Sequence, residues 1–147
     1  MGRKWTPAQK ARLSEIMRAR FAGKVILRSF GGESLRGYGF EIHKRDDFIC
    51  RYCGADGKKS FEVWLTLSVD HLLPKTDPRR EKLEYKVTAC QFCNTAENRY
   101  FYNAAKAGYM FENRTPDELL ARRKEFVQKV RANYREFWEN NINPLKK

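Results

Sequence analysis

The chain has 147 residues, 41% of them hydrophobic, which suits one domain with a moderate core and excludes a disordered chain. Its formal net charge is +12, from 30 Lys and Arg against 18 Asp and Glu, so a polyanionic partner is favoured and binding should depend strongly on salt. No apolar run reaches spanning length and the N-terminal Met1 to Pro7 lacks a signal-peptide core, so a cytoplasmic, intracellular protein with no membrane role is expected.

Thr6, Pro7 and Gln9 make a helix start: a cap, Pro at the first helical position and a side-chain acceptor at the third. Leu13, Ile16, Met17 and Phe21 follow at helical spacing, and Gly23 marks the stop. Val25 to Phe30 reads as a short strand. Gly31 to Gly39 reads as a mobile glycine-rich connection, lacking the Lys-Ser/Thr of a phosphate-binding loop. Phe40 to Asp46 is expected to be a short helix or turn feeding the first cysteine pair. Glu62 to Leu73 alternates Val63, Leu65, Leu67 and Val69, the pattern of a strand or hairpin arm. Pro74, Asp77 and Pro78 break it into a basic loop with Lys75, Arg79, Arg80 and Lys82. Tyr85 to Ala89 leads to the second cysteine pair, and Asn94 to Ala107 reads as a helix ended by Gly108. A last helix opens on the capping box Thr115-Pro116-Asp117-Glu118 and runs to about Trp138. Its apolar stripe is Leu119, Leu120, Val127, Val130, Tyr134 and Phe137, with Arg122, Arg123, Lys129 and Arg131 interspersed.

Cys50-Arg51-Tyr52-Cys53 and Cys90-Gln91-Phe92-Cys93 each have the two-residue gap that suits one tetrahedral metal. In a reducing compartment this favours structural Zn2+ over two disulfides. The 36 residues between Cys53 and Cys90 exceed a zinc-ribbon spacing, so the ion is expected to pin both ends of an insert presenting Asp70 and His71. Successive strand residues face opposite sides, so His71 can face water as a general base while Asp70 reaches towards a metal. Asn94, at the expected helix start, adds a neutral oxygen ligand. One carboxylate, one amide and waters suit Mg2+ or Mn2+, which would complete its shell with phosphate oxygens. Each residue has a plainer reading: surface polarity for Asp70 and His71, a helix cap for Asn94, core packing for Tyr100, Phe101 and Tyr102. His43, outside this arrangement, reads as a surface or packing residue.

The runs Phe48-Ile49-Cys50-Arg51-Tyr52-Cys53-Gly54, Leu67-Ser68-Val69-Asp70-His71-Leu72-Leu73-Pro74 and Thr88-Ala89-Cys90-Gln91-Phe92-Cys93-Asn94 together resemble the zinc-bracketed HNH endonucleases. The resemblance covers roughly residues 44 to 100. It implies an α+β fold with a ββα-metal core about 44–107; the residues themselves give an N-terminal helical extension 1–43 and a C-terminal helix about 115–138, and one domain 1–147 is expected. It also implies metal-dependent hydrolysis of DNA to a 5′-phosphate and a 3′-hydroxyl, with His71 as base and Asp70 and Asn94 as cation ligands. RNA is not ruled out by charge alone. A single centre per chain makes a homodimer one route to double-strand cleavage. Lys75, Arg79 and Arg80 in the basic loop are candidate nucleic-acid contacts, as is Arg99, one turn after Asn94 on the expected helix. The sequence departs from the family at Tyr85, where relatives have the middle Asn, and at Glu97, where many have Lys. A zinc-dependent nucleic-acid-binding module that has lost efficient catalysis is the competing reading.

Overall fold

The computed structural model describes residues 6–21, 34–96, 99–143 and 145. Contacts divide the chain into two units, residues 1–30 and residues 31–147. The first holds α1 (Pro7–Phe21), which starts as its sequence dictates: Thr6 N–H donates to Gln9 Oε1 at 2.9 Å and Gln9 N–H to Thr6 Oγ1 at 3.3 Å. The strand expected over Val25 to Phe30 lies outside the described residues, as does Glu97.

The second unit is a mixed α+β fold built around one antiparallel hairpin, β1 (Leu67–His71) and β2 (Lys86–Cys90). The register pairs His71 with Lys86, Asp70 with Val87, Val69 with Thr88 and Ser68 with Ala89. Paired residues share a face, so the hairpin has two chemically distinct sides. One carries Val69, Thr88, His71 and Lys86, and is covered by α2 (Phe40–Arg45) and the turn before it. His43, fully buried, meets Thr88 Oγ1 through Nδ1 at 2.8 Å, and Asp46 Oδ2 accepts the Thr88 N–H at 2.7 Å. Gly39 allows the turn to approach: a Cβ there would stand 2.0 Å from the Ser34 carbonyl oxygen and 2.8 Å from Val69 Cγ2.

The other side carries Ser68, Asp70, Val87 and Ala89. It meets α4 (Gln91–Thr95), α5 (Tyr100–Lys106) and α6 (Pro116–Asn141) in a core of Tyr52, Leu72, Leu73, Val87, Ala89, Tyr100, Ala104, Leu119 and Val127. Helix α6 begins on the expected capping box, Thr115 and Glu118 bonding reciprocally. Only Leu119, Arg123 and Val127 of α6 are buried; Tyr134 and Phe137, read as part of the apolar stripe, are exposed.

Two expectations need correction. Residues 62–65 are helical, not strand: Ser60 caps α3 (Phe61–Leu65) by accepting the Val63 N–H, and a local cap outweighs a short alternating pattern. Asn94 does not open a helix. It lies in the last turn of α4, which is capped by Cys90, and α5 starts separately with Arg99 at its own N-cap. Among the described residues, no helix is long and apolar enough to cross a membrane.

Candidate active site and metal centre

The first cysteine knuckle turns tightly: Gly54 N–H donates to the Cys50 carbonyl at 2.9 Å, with Gly54 at φ +77°, a conformation glycine adopts without strain. Arg51 N–H donates to the Thr88 carbonyl at 2.9 Å, which ties this knuckle to β2. Cys90 ends β2 and Cys93 lies one turn into α4. All four sulfurs fall within 4.8 Å of one another. Their crowding polarises them: hydrogen bonds from Cys50, Cys90 and Cys93 push the Cys53 thiol far down, while those with Cys50 and Cys53 push Cys93 far up. Four converging soft donors support zinc. Arg131 of α6 reaches Cys93 Sγ through Nη1 at 3.7 Å, a cation that offsets the negative charge of a tetrathiolate site.

Asp70 and His71 point to opposite sides of β1, as alternation requires. Asp70 is buried on the α6 side. Its Oδ2 accepts the Tyr52 hydroxyl at 2.6 Å and Arg123 Nε at 3.4 Å, and its Oδ1 accepts the His71 N–H at 2.8 Å. Burial pushes the Asp70 carboxyl above its ordinary range, and the Arg123 charge and the Tyr52 hydroxyl oppose that push. Asn94 stands on the same side. Its Nδ2 donates to Ser68 Oγ at 2.9 Å and to the Val69 carbonyl at 3.3 Å, while its own carbonyl accepts Arg123 Nη2 at 3.3 Å. Arg123 therefore bridges the Asp70 side chain and the Asn94 backbone.

His71 is the last residue of β1, and its ring faces a cavity of about 440 Å³ lined by Tyr38, His71, Arg80, Glu81 and Lys86. Burial first, and the Arg80 charge next, push its imidazole below the ordinary value, with Glu81 opposing. The net direction favours the neutral, proton-accepting form of the ring.

The HNH endonuclease family model matches residues 50–99. Over these residues the chain is similar to the HNH endonucleases. The match begins at the first zinc cysteine, takes in the hairpin and α4, and stops before α5. No curated protein and no solved structure shows significant similarity to the chain. The HNH match and the four-cysteine cluster together support a function of nuclease or nucleic-acid-binding type with a zinc site.

Within the matched residues the basic loop is more ordered than its composition suggests. Arg79 is committed to Asp77, with Nε–Oδ1 at 3.0 Å and Nη2–Oδ2 at 2.7 Å, to the Phe111 carbonyl at 3.0 Å, and to the face of the Tyr85 ring. Lys75 is exposed, whereas Arg80 lines the His71 cavity. Arg99 caps α5 and does not continue the Asn94 helix. Tyr85 has a buried ring, and its carbonyl accepts the Leu72 N–H at 2.9 Å, so the loop from Leu72 to Tyr85 is closed by backbone bonding where the family has Asn.

Sequence reasoning missed four residues of the site: Tyr52, Glu81, Lys86 and Arg123. For Arg123 a signal existed. It stands four residues after Leu119 and four before Val127, on the row that α6 buries. A cation on a core row implies a buried anion opposite it.

Proposed function

We propose that this chain is a metal-dependent DNA endonuclease in which His71 is the general base and Asp70 with Asn94 holds a divalent cation, Mg2+ or Mn2+. The observation that carries this reading is the gathering of all three residues around one hairpin bracketed by the cysteine pairs: His71 of β1 facing an accessible cationic cavity, and Asp70 of β1 and Asn94 of α4 sharing the opposite side. The donor set fits a hard cation, one carboxylate and one amide oxygen. Such an ion, when bound, would supply positive charge on the Asp70 and Asn94 side of β1. It would replace Arg123 as the counter-charge of Asp70.

The remaining chemistry belongs to the chain. Neutral His71 accepts a proton from the attacking water. The surrounding Arg80 and Lys86 favour the approach of an anionic substrate and disfavour a second positive charge on the ring. The net charge of +12 draws DNA to the surface. Double-strand cleavage would need two chains or two encounters.

A pH–rate profile tests the base. Because the His71 imidazole titrates below its ordinary value, its base form is already dominant at neutrality. The cleavage rate should climb on the acid side of about pH 6.5 and stay flat above it. A rate that keeps rising through pH 8 would assign the proton transfer elsewhere. Asp70→Asn or Asn94→Ala should raise the Mg2+ concentration needed for half-maximal cleavage while leaving zinc content unchanged. Loss of zinc in either variant would move that residue to the structural site.

One observation favours the second reading, a zinc-dependent nucleic-acid-binding module. Asp70 already has a full counter-charge in Arg123, which a binding domain would retain. On that reading the protein binds DNA with the salt dependence of a basic surface, and added Mg2+ changes nothing.

A further inference from the structure

The cavity in front of His71 contains an anion of the chain's own. Glu81 Oε1 lies 3.0 Å from Arg80 Nη1 and 3.7 Å from His71 Nε2, and Glu81 Oε2 lies 2.8 Å from Lys86 Nζ. Two cations thus converge on one carboxylate, with the His71 ring beside it. They differ sharply in how firmly they are held. Lys86 is fixed by its place in β2 opposite His71, and its side chain is only 11% exposed. Arg80 is largely covered, and its Nε is buried without a hydrogen-bond partner among the described residues. Glu81, by contrast, ends a short 3-10 turn (Pro78–Glu81) and is 68% exposed. The cations are built into the fold, and the anion leans in from solvent.

A buried guanidinium N–H without an acceptor is costly unless something supplies one, and a buried lysine needs a counter-charge. A single carboxylate satisfies Lys86 and one end of Arg80 but leaves Nε unmet. A phosphate offers more acceptor oxygens on one centre, and guanidinium groups bind it through two parallel N–H bonds. Tyr38, on the turn that Gly39 allows against Val69, lines the same cavity and bounds it from the α2 side.

We propose that Arg80 and Lys86, beside His71, form a phosphodiester-binding site and that Glu81 is an internal stand-in for the phosphate, displaced when the nucleic-acid backbone enters. This deepens the nuclease reading and rests on it for the identity of the natural ligand, but the site itself can be probed with inorganic phosphate alone. Glu81 then acts as a charge gate. It keeps two buried cations compensated in the free protein and competes with incoming anions, so that a substrate held by further backbone contacts enters more readily than a lone phosphate.

The experiment is a titration of the zinc-loaded full chain with inorganic phosphate, followed by backbone amide shifts, on wild type, Glu81→Gln, Glu84→Gln and Arg80→Gln. Glu84 is exposed on the same loop, so its variant makes the same charge change without touching the cavity. Glu84→Gln touches nothing buried, and Glu81→Gln keeps a side-chain oxygen as acceptor for Lys86 and Arg80, so both variants are expected to fold. The expected result is a shift pattern centred on Tyr38, His71, Arg80 and Lys86, with Glu81→Gln binding about threefold tighter than wild type, Glu84→Gln close to wild type and Arg80→Gln weaker. Equal affinities for Glu81→Gln and Glu84→Gln, or shifts spread evenly over the basic surface, would overturn the proposal. A localised phosphate site in a protein that never cuts DNA would uphold the cavity and reject the nuclease reading, which keeps the two failures apart.

Discussion

Stripping zinc from the folded chain is expected to abolish its cooperative unfolding transition, a loss on the order of 10 kcal/mol. The reason lies in where the sulfurs sit. Cys50, Cys90 and Cys93 are buried in the same core as Leu72, Leu73, Val87 and Ala89, so the zinc site is continuous with the hydrophobic centre of the 31–147 unit. Cys90 is both the end of β2 and the N-cap of α4. Without an ion, the two cysteine knuckles lose the four bonds that would join them through one centre. Circular dichroism melts of zinc-loaded protein, with and without a strong chelator, read this directly. Cys90→Ser should behave like the chelated protein. An unchanged melt in both cases would mean that the cysteines are bystanders and that hydrophobic packing alone holds the hairpin.

Replacing Arg123 by Met is expected to cost about 3–5 kcal/mol, because it leaves Asp70 buried without its counter-charge. Arg123 is 4% exposed, and its guanidinium lies over the Tyr100 ring at 4.5 Å and near Phe126 at 5.6 Å. Desolvation already pushes the Asp70 carboxyl up even with Arg123 present, so removing the arginine leaves only the Tyr52 hydroxyl and the His71 N–H to hold the charge. Urea unfolding of Arg123→Met, Asp70→Asn and the double variant forms a cycle in which the two single losses should sum to well over the double loss. An Arg123→Met effect within about 0.5 kcal/mol would mark it as an ordinary helix-face residue. Mg2+ should also stabilise Arg123→Met more than wild type, since ion and arginine compete for one carboxylate.

Much of this site could be read from the chain before folding it. The cysteine spacing, Asp70-His71 at a strand end and Asn94 after the last cysteine are legible in residue type and order, and each two-residue cysteine gap follows from covalent reach. The helix starts at Thr6 and Thr115 were equally legible, because capping is a local hydrogen-bond exchange within three residues. Tertiary facts were not. The α3 segment alternates like a strand, and Ser60 alone turns it into a helix. The break between α4 and α5 leaves no Gly or Pro signal, so one helix was expected where two stand. The convergence of Arg80, Lys86 and Glu81 on His71 depends on the β1–β2 register, which no short pattern encodes. His43 lies outside every motif, yet the fold buries it completely against Thr88, and burial pushes its imidazole below the ordinary value.

The most direct test of the nuclease centre is supercoiled plasmid cleavage by the zinc-loaded chain with and without Mg2+, beside a folded, zinc-loaded His71→Ala protein. The account predicts Mg2+-dependent nicking by wild type, and a rate at least about 100-fold lower in His71→Ala. Full plasmid binding with no cleavage by wild type, or undiminished cleavage by His71→Ala, would contradict it.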